Sequence, residues 1–240
     1  MNPKMILFDY GGTLVCDPVY NMTEGNSAIF PYITENPHNV TKEEFADYIK
    51  VLFDEIKALR GEFIELHEHI FLRYVLEHFG IKLSISIEEA EWVICNALAK
   101  NVMTSDADIM LKSLAESGIR TGVVSNLCWS GKALERVMQE LFPEHKFEFI
   151  LTSSEYIFRK PDSRFFDMAI RKSGLKPEEI WFCGNVIDID LVGAKNVGMF
   201  PVFYDNQDIP DKFRPLNDIN KIDFPYHHIG SWGELIELIK

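Results

Sequence analysis

The order of apolar runs along the chain constrains the fold more than any other feature of the sequence. One run of strand length occupies residues 4–8, and four more occupy residues 119–124, 147–151, 180–183 and 200–204, with helical stretches between them. Strands that alternate with helices form a parallel sheet covered by helices on both faces. The sequence therefore predicts a doubly wound, parallel-sheet α/β core, to which the run at 4–8 also belongs.

The long segment between the first two runs carries almost no strand signal. Its apolar residues recur at helical spacing over four stretches, which lie near residues 20–33, 41–60, 63–79 and 87–101. A helical block inserted after the first strand predicts a cap over the carboxyl edge of the sheet. We therefore divide the chain into an α/β core domain, residues 1–15 and 104–240, and a helical cap domain, residues 16–103. Residues 205–225 are expected to form a surface loop.

Composition and charge exclude several classes of protein. The chain has 240 residues, with 24 Lys and Arg against 37 Asp and Glu, so its formal net charge is −13. Such a charge opposes binding to nucleic acid and to anionic lipid. No stretch approaches the roughly 18 apolar residues of a membrane span, and the first apolar run is too short for a signal peptide. We expect a cytoplasmic monomer or homodimer without nucleic-acid or membrane partners.

Polar residues follow four of the predicted strands at the points where those strands end. In a parallel sheet, ligands bind beyond the carboxyl ends of the strands, so these residues are expected to share one crevice. They are Asp9 after the first strand, Ser125 and Asn126 after the second, Arg159 to Asp162 after the third, and Gly184, Asn185, Asp188 and Asp190 after the fourth. A carboxylate, a hydroxyl and an ammonium around one crevice suit a phosphorylated ligand.

These segments resemble the motifs of the haloacid dehalogenase-like (HAD) superfamily, in the same order and spacing. The first is F-D-Y-G-G-T-L at residues 8–14, and the second is V-V-S-N at 123–126. The third is R-K-P-D at 159–162, and the fourth is W-F-C-G-N-V-I-D-I-D-L-V-G-A-K-N-V-G at 181–198. The resemblance implies a Rossmann-like core with an inserted helical cap and a hydrolase that acts on a small phosphorylated metabolite.

The resemblance also implies roles for individual residues. Asp9 would be the nucleophile that attacks phosphorus and forms an aspartyl phosphate. Thr13 and Ser125 would hydrogen-bond the transferring group, and Lys160 would neutralise Asp9 and the phosphoryl oxygens. Two further residues, Gly12 and Asn126, are expected to contact the substrate.

A bound Mg²⁺ is the cofactor that the resemblance implies. The family holds this ion with the first aspartate, the backbone carbonyl two residues later and an acid of the fourth motif. Here those ligands would be Asp9, Gly11 and Asn185, with Asp190 close by. Asp188 is the alternative to Asp190 as the acid that faces the site.

Two positions depart from the pattern of the family's phosphatases. Gly11 stands where most of them have a second aspartate, the general acid and base, and its loss typically lowers the rate by about 10²- to 10⁴-fold. Asn185 stands where the family usually has Asp, which removes one charge from the metal site and weakens it. Glu62 and Asp17 are candidates for the missing acid.

These departures leave two other functions open. Dehalogenases of the family also use the first aspartate, lack the second and need no metal, but they commonly carry Tyr where this chain has Gly11. The second alternative is a pseudoenzyme that binds a phosphorylated metabolite without turning it over. A separate hypothesis concerns Arg60, which falls between two cap helices and could read a carboxylate or second phosphate of the substrate.

Overall fold

The computed structural model describes residues 2–16, 21–206, 209 and 214–240. The strands in these residues are β1 Met5–Phe8, β2 Val15–Cys16, β3 Ile33–Glu35, β4 Lys82–Leu83, β5 Val102–Met103, β6 Arg120–Ser125, β7 Ile150–Thr152, β8 Ile180–Gly184, β9 Phe200–Tyr204 and β10 His227–Ile229. The α-helices are α1 Met22–Ser27, α2 Lys42–Arg60, α3 Glu68–His78, α4 Ile87–Leu98, α5 Ala107–Glu116, α6 Gly131–Leu141, α7 Ser153–Tyr156, α8 Ser163–Ser173, α9 Val192–Asn196 and α10 Trp232–Leu238.

A six-stranded parallel sheet forms the centre of the molecule, in the order β10-β9-β8-β1-β6-β7. β1 is fully buried because its side chains enter two different hydrophobic clusters, Ile6 and Phe8 on one face and Met5 and Leu7 on the other. A strand buried on both faces has an unbroken apolar sequence. The predicted doubly wound α/β fold is confirmed, and the strand order reverses direction at β1, where such sheets bind ligands.

The segment between β1 and β6 is mainly helical and has a hydrophobic cluster of its own. Side chains from α2, α3 and α4 form this cluster, which includes Phe45, Phe71 and Ile94. The chain leaves and re-enters the sheet region through β2 and β5, which pair antiparallel. We keep the name cap segment for residues 16–103 and the division of the chain into core and cap as our interpretation of this arrangement.

A capping box starts α2, the longest helix of the cap segment. The Thr41 hydroxyl accepts a hydrogen bond from the Glu44 N–H at 3.2 Å, and the Glu44 carboxylate accepts one from the Thr41 N–H at 2.9 Å. This reciprocal capping satisfies two of the backbone donors that a helix start leaves unpaired. α2 ends at Arg60, and the residue that caps it is Gly61, whose φ of 65° favours glycine.

Several predicted boundaries differ from the structure. α3 begins at Glu68 because residues 63–65 contact the loop before Lys160 instead of starting a helix. The helix predicted near 20–33 is limited to α1, which a short 3₁₀ turn follows at Phe30–Tyr32. β10 was not predicted, since its sequence His-His-Ile lacks the apolar pattern of the other strands.

A helix that crosses a membrane must be both long and apolar. The longest, α2, has 19 residues and carries charged side chains along its length. None of the helices in the described ranges is long and apolar enough to cross a bilayer.

Candidate active site

A cleft of about 260 Å³ opens at the carboxyl ends of β1, β6 and β8. Segments from all four sequence motifs meet there because parallel strands end at the same edge of a sheet. The described residues that line it are Asp9, Tyr10, Gly11, Ser125, Asn126, Leu127, Arg159, Lys160, Asn185, Val186, Ile189 and Asp190.

Lys160 joins two carboxylates at the floor of the cleft. Its Nζ donates to Asp9 Oδ1 at 2.6 Å and to Asp190 Oδ1 at 2.7 Å. The Lys160 and Asp190 side chains are each only 1% exposed, and the Asp9 side chain is 11% exposed. Such charge-assisted bonds are short and strong, so the ammonium is fixed beside Asp9.

Burial and charge together set the pKa values of this cluster. Burial raises the pKa of Asp9 to about 6; the Lys160 ammonium opposes this rise, and the Asp190 charge adds to it. Burial by itself lowers the pKa of Lys160, but the charges of Asp190 and Asp9 outweigh it, so the pKa lies above its usual value. At neutral pH Asp9 is therefore ionised, and Lys160 stays protonated and cannot act as a base.

Asp190 is positioned by an unusual turn of helix. Residues Ile187–Leu191 form a π-helical turn before α9, and the second Asp190 oxygen, Oδ2, accepts a hydrogen bond from the Val186 N–H at 3.0 Å. Both oxygens of Asp190 thus have partners within the protein. Asp188 is exposed. Asp190 as a metal ligand stays a prediction; in the structure it is an ion-pair partner of Lys160.

Thr13 and Asn185 lie on the other side of Asp9. The Thr13 hydroxyl lies 3.4 Å from both Asp9 Oδ2 and Asn185 Oδ1. Gly12, at a φ of 79°, brings the backbone so close to Asn185 that an added Cβ would overlap the Asn185 amide. The first and fourth motifs therefore touch at Gly12 and Asn185.

Asn217 supports Asn185 from a distant part of the chain. Its amide donates to the Asn185 carbonyl oxygen at 2.9 Å and accepts from the Ile187 N–H, also at 2.9 Å. Residues 205–225 were expected to form only a surface loop. The contact was missed because no local pattern links Asn217 to the fourth motif.

Asn126 holds the segment that carries Lys160. Its side-chain oxygen accepts from the Lys160 N–H at 2.7 Å, and its side-chain nitrogen donates to the Lys160 carbonyl at 2.9 Å. Both polar atoms of the amide therefore contact the backbone of the third motif, and Asn126 also lines the cleft. Ser125, at the end of β6, is buried and lines the cleft beside it.

The oxygen atoms around Asp9 fit a weakly held Mg²⁺. Mg²⁺ prefers oxygen ligands and is commonly held by one or two carboxylates together with substrate phosphate. Asp9 and the neutral Asn185 amide share the Thr13 hydroxyl as a neighbour, and the Gly11 carbonyl belongs to the same cleft. With one carboxylate among these three donors, firm binding requires the charge of a substrate phosphate.

Two residues were candidates for the missing acid, Glu62 and Asp17. Glu62 is exposed and is not among the residues that line the cleft, and Asp17 lies outside the described residues. Among the described residues that do line it, the carboxylates are Asp9 and Asp190. An added Cβ at Gly11 meets no atom within 4 Å, so the position of the missing side chain is open space.

Arg60 is not among the cleft residues. It pairs with Glu65 and lines a separate small cavity between the cap segment and Cys128 of the core. Glu65 also pairs with Arg159, which does line the cleft. Sequence reasoning missed Glu65, because a lone glutamate between two predicted helices has no distinguishing local pattern.

The chain matches the family model described as haloacid dehalogenase-like hydrolase over residues 6–203. That match covers most of the chain, so the protein belongs to the haloacid dehalogenase-like hydrolase family and is a hydrolase. The resemblance drawn from the four motifs is confirmed.

Curated relatives of two activities match the chain. It is 24% identical over 239 residues to a ribulose-1,5-bisphosphate 5-phosphatase of Halopiger xanaduensis, with 98% of each chain covered. It is 23% identical over 208 residues to an (S)-2-haloacid dehalogenase of Pseudomonas putida, with 86% of each chain covered. Among solved structures, a 2-haloacid dehalogenase of Pseudomonas syringae has a TM-score of 0.61 and 20% identity, with 99% of this chain and 98% of that chain covered. This likeness shows the shared fold.

Proposed function

We propose that the protein is a phosphatase that hydrolyses a small phosphorylated metabolite through an aspartyl phosphate on Asp9. The observation that carries the proposal is the bond between Asp9 Oδ1 and the buried Lys160 ammonium, at 2.6 Å. A fixed cation beside an ionised carboxylate lowers the repulsion between that carboxylate and an incoming phosphate. The full-length relationship to a phosphatase supports the same reading.

In the first step, an Asp9 oxygen attacks phosphorus while the bond from phosphorus to the leaving oxygen breaks. Lys160 would balance the charge of the phosphoryl oxygens, and two hydroxyls would hydrogen-bond them, that of Ser125 in the cleft lining and that of Thr13 beside Asp9. The leaving oxygen departs with the bonding electrons and takes a proton from solvent, because position 11 has no side chain. In the second step, the oxygen of a water molecule attacks phosphorus and the bond from phosphorus to the Asp9 oxygen breaks, which forms inorganic phosphate and free Asp9 while the proton from the water passes to solvent.

Mg²⁺ would be held by Asp9, Asn185 and the Gly11 carbonyl. When bound, it supplies positive charge that offsets the charge of the transferring phosphoryl group. Two further residues would position these groups. Gly12 allows the close approach of Asn185, and Asn126 fixes the backbone of Lys160. We also propose that the cap segment closes over the cleft and excludes water.

Among the described residues that line the cleft, the carboxylate besides Asp9 is Asp190, which pairs with Lys160, and this limits the choice of substrate. Esters whose leaving oxygen is already a weak base need little proton transfer, so they are expected to react fastest. The structure thus favours phosphate esters of acidic hydroxyls, or acyl phosphates, over simple alkyl phosphates.

Phosphate release from p-nitrophenyl phosphate and a panel of small phosphate esters would test the function. We expect turnover that requires Mg²⁺, stops with EDTA and is lost in Asp9→Asn. Asp188→Asn is the matched control, because it removes an exposed carboxylate near the same site. Absence of turnover from the whole panel would contradict a phosphatase and favour a pseudoenzyme that only binds.

Dehalogenation of 2-haloacids is the second candidate. The observation that favours it is the neutral Asn185 at the metal position, since dehalogenases of the family need no metal. Halide release from (S)- and (R)-2-chloropropionate, in EDTA, belongs in the same experiment. Halide release without phosphatase activity would establish this alternative.

A further inference from the structure

Glu65 is a buried carboxylate of the cap segment that two guanidinium groups share. Its side chain is only 2% exposed. One oxygen pairs with Arg60, and the other pairs with Arg159 and accepts a hydrogen bond from the Ser153 hydroxyl at 2.9 Å. Arg60 belongs to the cap segment, whereas Arg159 and Ser153 follow strands of the sheet. Glu65 therefore ties the cap segment to the loop that carries the third motif.

Backbone contacts hold the same two loops together. The Glu65 N–H donates to the Ile157 carbonyl at 2.6 Å, and the Arg159 N–H donates to the Phe63 carbonyl at 3.0 Å. Between them, Ile64 and Phe158 form an antiparallel bridge. Because both the backbone and the side chain of Arg159 have fixed partners, the position of its guanidinium is set by the cap segment.

Glu65 offers one carboxylate to two guanidinium groups, those of Arg60 and Arg159. Burial lowers the pKa of Arg159 although Glu65 opposes it, and the neighbouring Arg60 charge lowers it further. Arg60 lines a small cavity between the cap segment and Cys128 of the core, whereas Arg159 lines the cleft and its side chain is 23% exposed. Of the two guanidinium groups, that of Arg159 is therefore the one that a ligand in the cleft can reach, one residue from Lys160.

We infer that Arg159 binds a second anionic group of the substrate, separate from the phosphate that Asp9 attacks, and that Glu65 positions Arg159 for this contact. Guanidinium is suited to this role because its fork of N–H donors matches the oxygens of a phosphate or a carboxylate. The inference rests on the proposed phosphatase activity and narrows its substrates to metabolites with two anionic groups.

Binding of three matched probes would test the inference. Propyl phosphate has one anionic group, propane-1,3-diyl bisphosphate adds a phosphate, and 3-phosphonooxypropanoate adds a carboxylate. Dissociation constants would be measured by calorimetry with Mg²⁺ in the Asp9→Asn background, where no turnover interferes. We expect the probes with two groups to bind about 10- to 100-fold more tightly than propyl phosphate, the range for a charged hydrogen bond. The tighter of the two identifies the second group.

Three variants in this background separate Arg159 from its surroundings. Arg159→Gln is expected to remove the preference, so that the three probes bind this variant with similar dissociation constants. Arg164→Gln, the matched control, removes an exposed guanidinium that pairs with Asp162, and it is expected to keep the preference. Glu65→Gln is expected to reduce the preference without weakening propyl phosphate binding, which a purely structural role would not produce.

The possible results distinguish this inference from the proposed function. Equal binding of all three probes would overturn it, even if the wild-type protein hydrolyses phosphate esters. Loss of the preference in Arg60→Gln but not in Arg159→Gln would also overturn it. If the wild-type protein hydrolysed nothing, a preference that depends on Arg159 would still support the second anion site and contradict only the phosphatase.

Discussion

Replacing Gly11 with aspartate should add a general acid to the described residues that line the cleft. An added Cβ at this position meets no atom within 4 Å, and its φ is not among the left-handed values. Gly11 lies two residues from Asp9 in the lining of the cleft. A carboxyl group can therefore be placed there without moving the backbone. We expect it to reach the leaving-group oxygen of a substrate whose phosphorus is attacked by Asp9.

General acid–base help typically contributes about 10²- to 10⁴-fold, or about 3–5 kcal/mol of activation free energy. We expect Gly11→Asp to raise kcat toward this range for alkyl phosphates. The gain should be much smaller for p-nitrophenyl phosphate, whose leaving group needs little proton transfer. A second carboxylate also raises the pKa of Asp9, so the acid limb of the pH profile should move upward.

Steady-state kinetics on both esters would measure these effects. Gly11→Asn is the matched control, because it has nearly the same size but cannot transfer a proton. Circular dichroism and urea denaturation would establish that each variant folds. If folded Gly11→Asp had the alkyl phosphate kcat of the wild-type protein, or of Gly11→Asn, proton transfer at this position would not be what limits turnover.

Four further predictions concern the cluster around Asp9. Because attack requires the ionised carboxylate and the pKa of Asp9 is raised to about 6, kcat/KM should fall as the pH drops below about 6. Two esters whose phosphate groups have different pKa values should show this fall at the same pH. If the pH of the fall differed between the esters, the titrating group would belong to the substrate and not to Asp9. Asn185→Asp should tighten Mg²⁺ binding in calorimetry without substrate, since a second charged oxygen enters the site; unchanged affinity would remove Asn185 from the metal ligands. Lys160→Gln should destabilise the fold by about 3–5 kcal/mol in urea, because it leaves two buried carboxylates without their cation, whereas the exposed Lys172→Gln should change little. Gly12→Ala should destabilise the fold by about 1–3 kcal/mol because of its φ of 79° and the overlap with Asn185. If this variant kept both the stability and the Mg²⁺ dependence of the wild-type protein, the close approach of the Gly12 backbone to the Asn185 amide would be contradicted.

Local sequence carried most of the information about the sheet. β1, β6, β8 and β9 lie within a residue or two of the predicted runs, because a strand buried on both faces must be apolar throughout. β10 escaped prediction because it lies at the edge of the sheet and is only partly buried.

The grouping of Asp9, Ser125, Lys160 and Asn185 could also be predicted. Each follows a strand, and parallel strands deliver their carboxyl ends to one edge, so chain position alone places these residues together. The choice between Asp188 and Asp190 was less certain, because it depends on the π-helical turn at Ile187–Leu191, which directs one side chain inward and the other to solvent.

By itself, the sequence determined the α/β fold, the helical insertion and the set of residues at the strand ends, since these follow from local periodicity and from the geometry of a parallel sheet. Only the tertiary structure decided which partners those residues have. Asp190 pairs with Lys160, Asn217 supports Asn185, and Glu65 holds Arg159 across the boundary between cap segment and core. Such contacts join residues far apart in the chain, and no local pattern records them, because they depend on how separately folded segments pack.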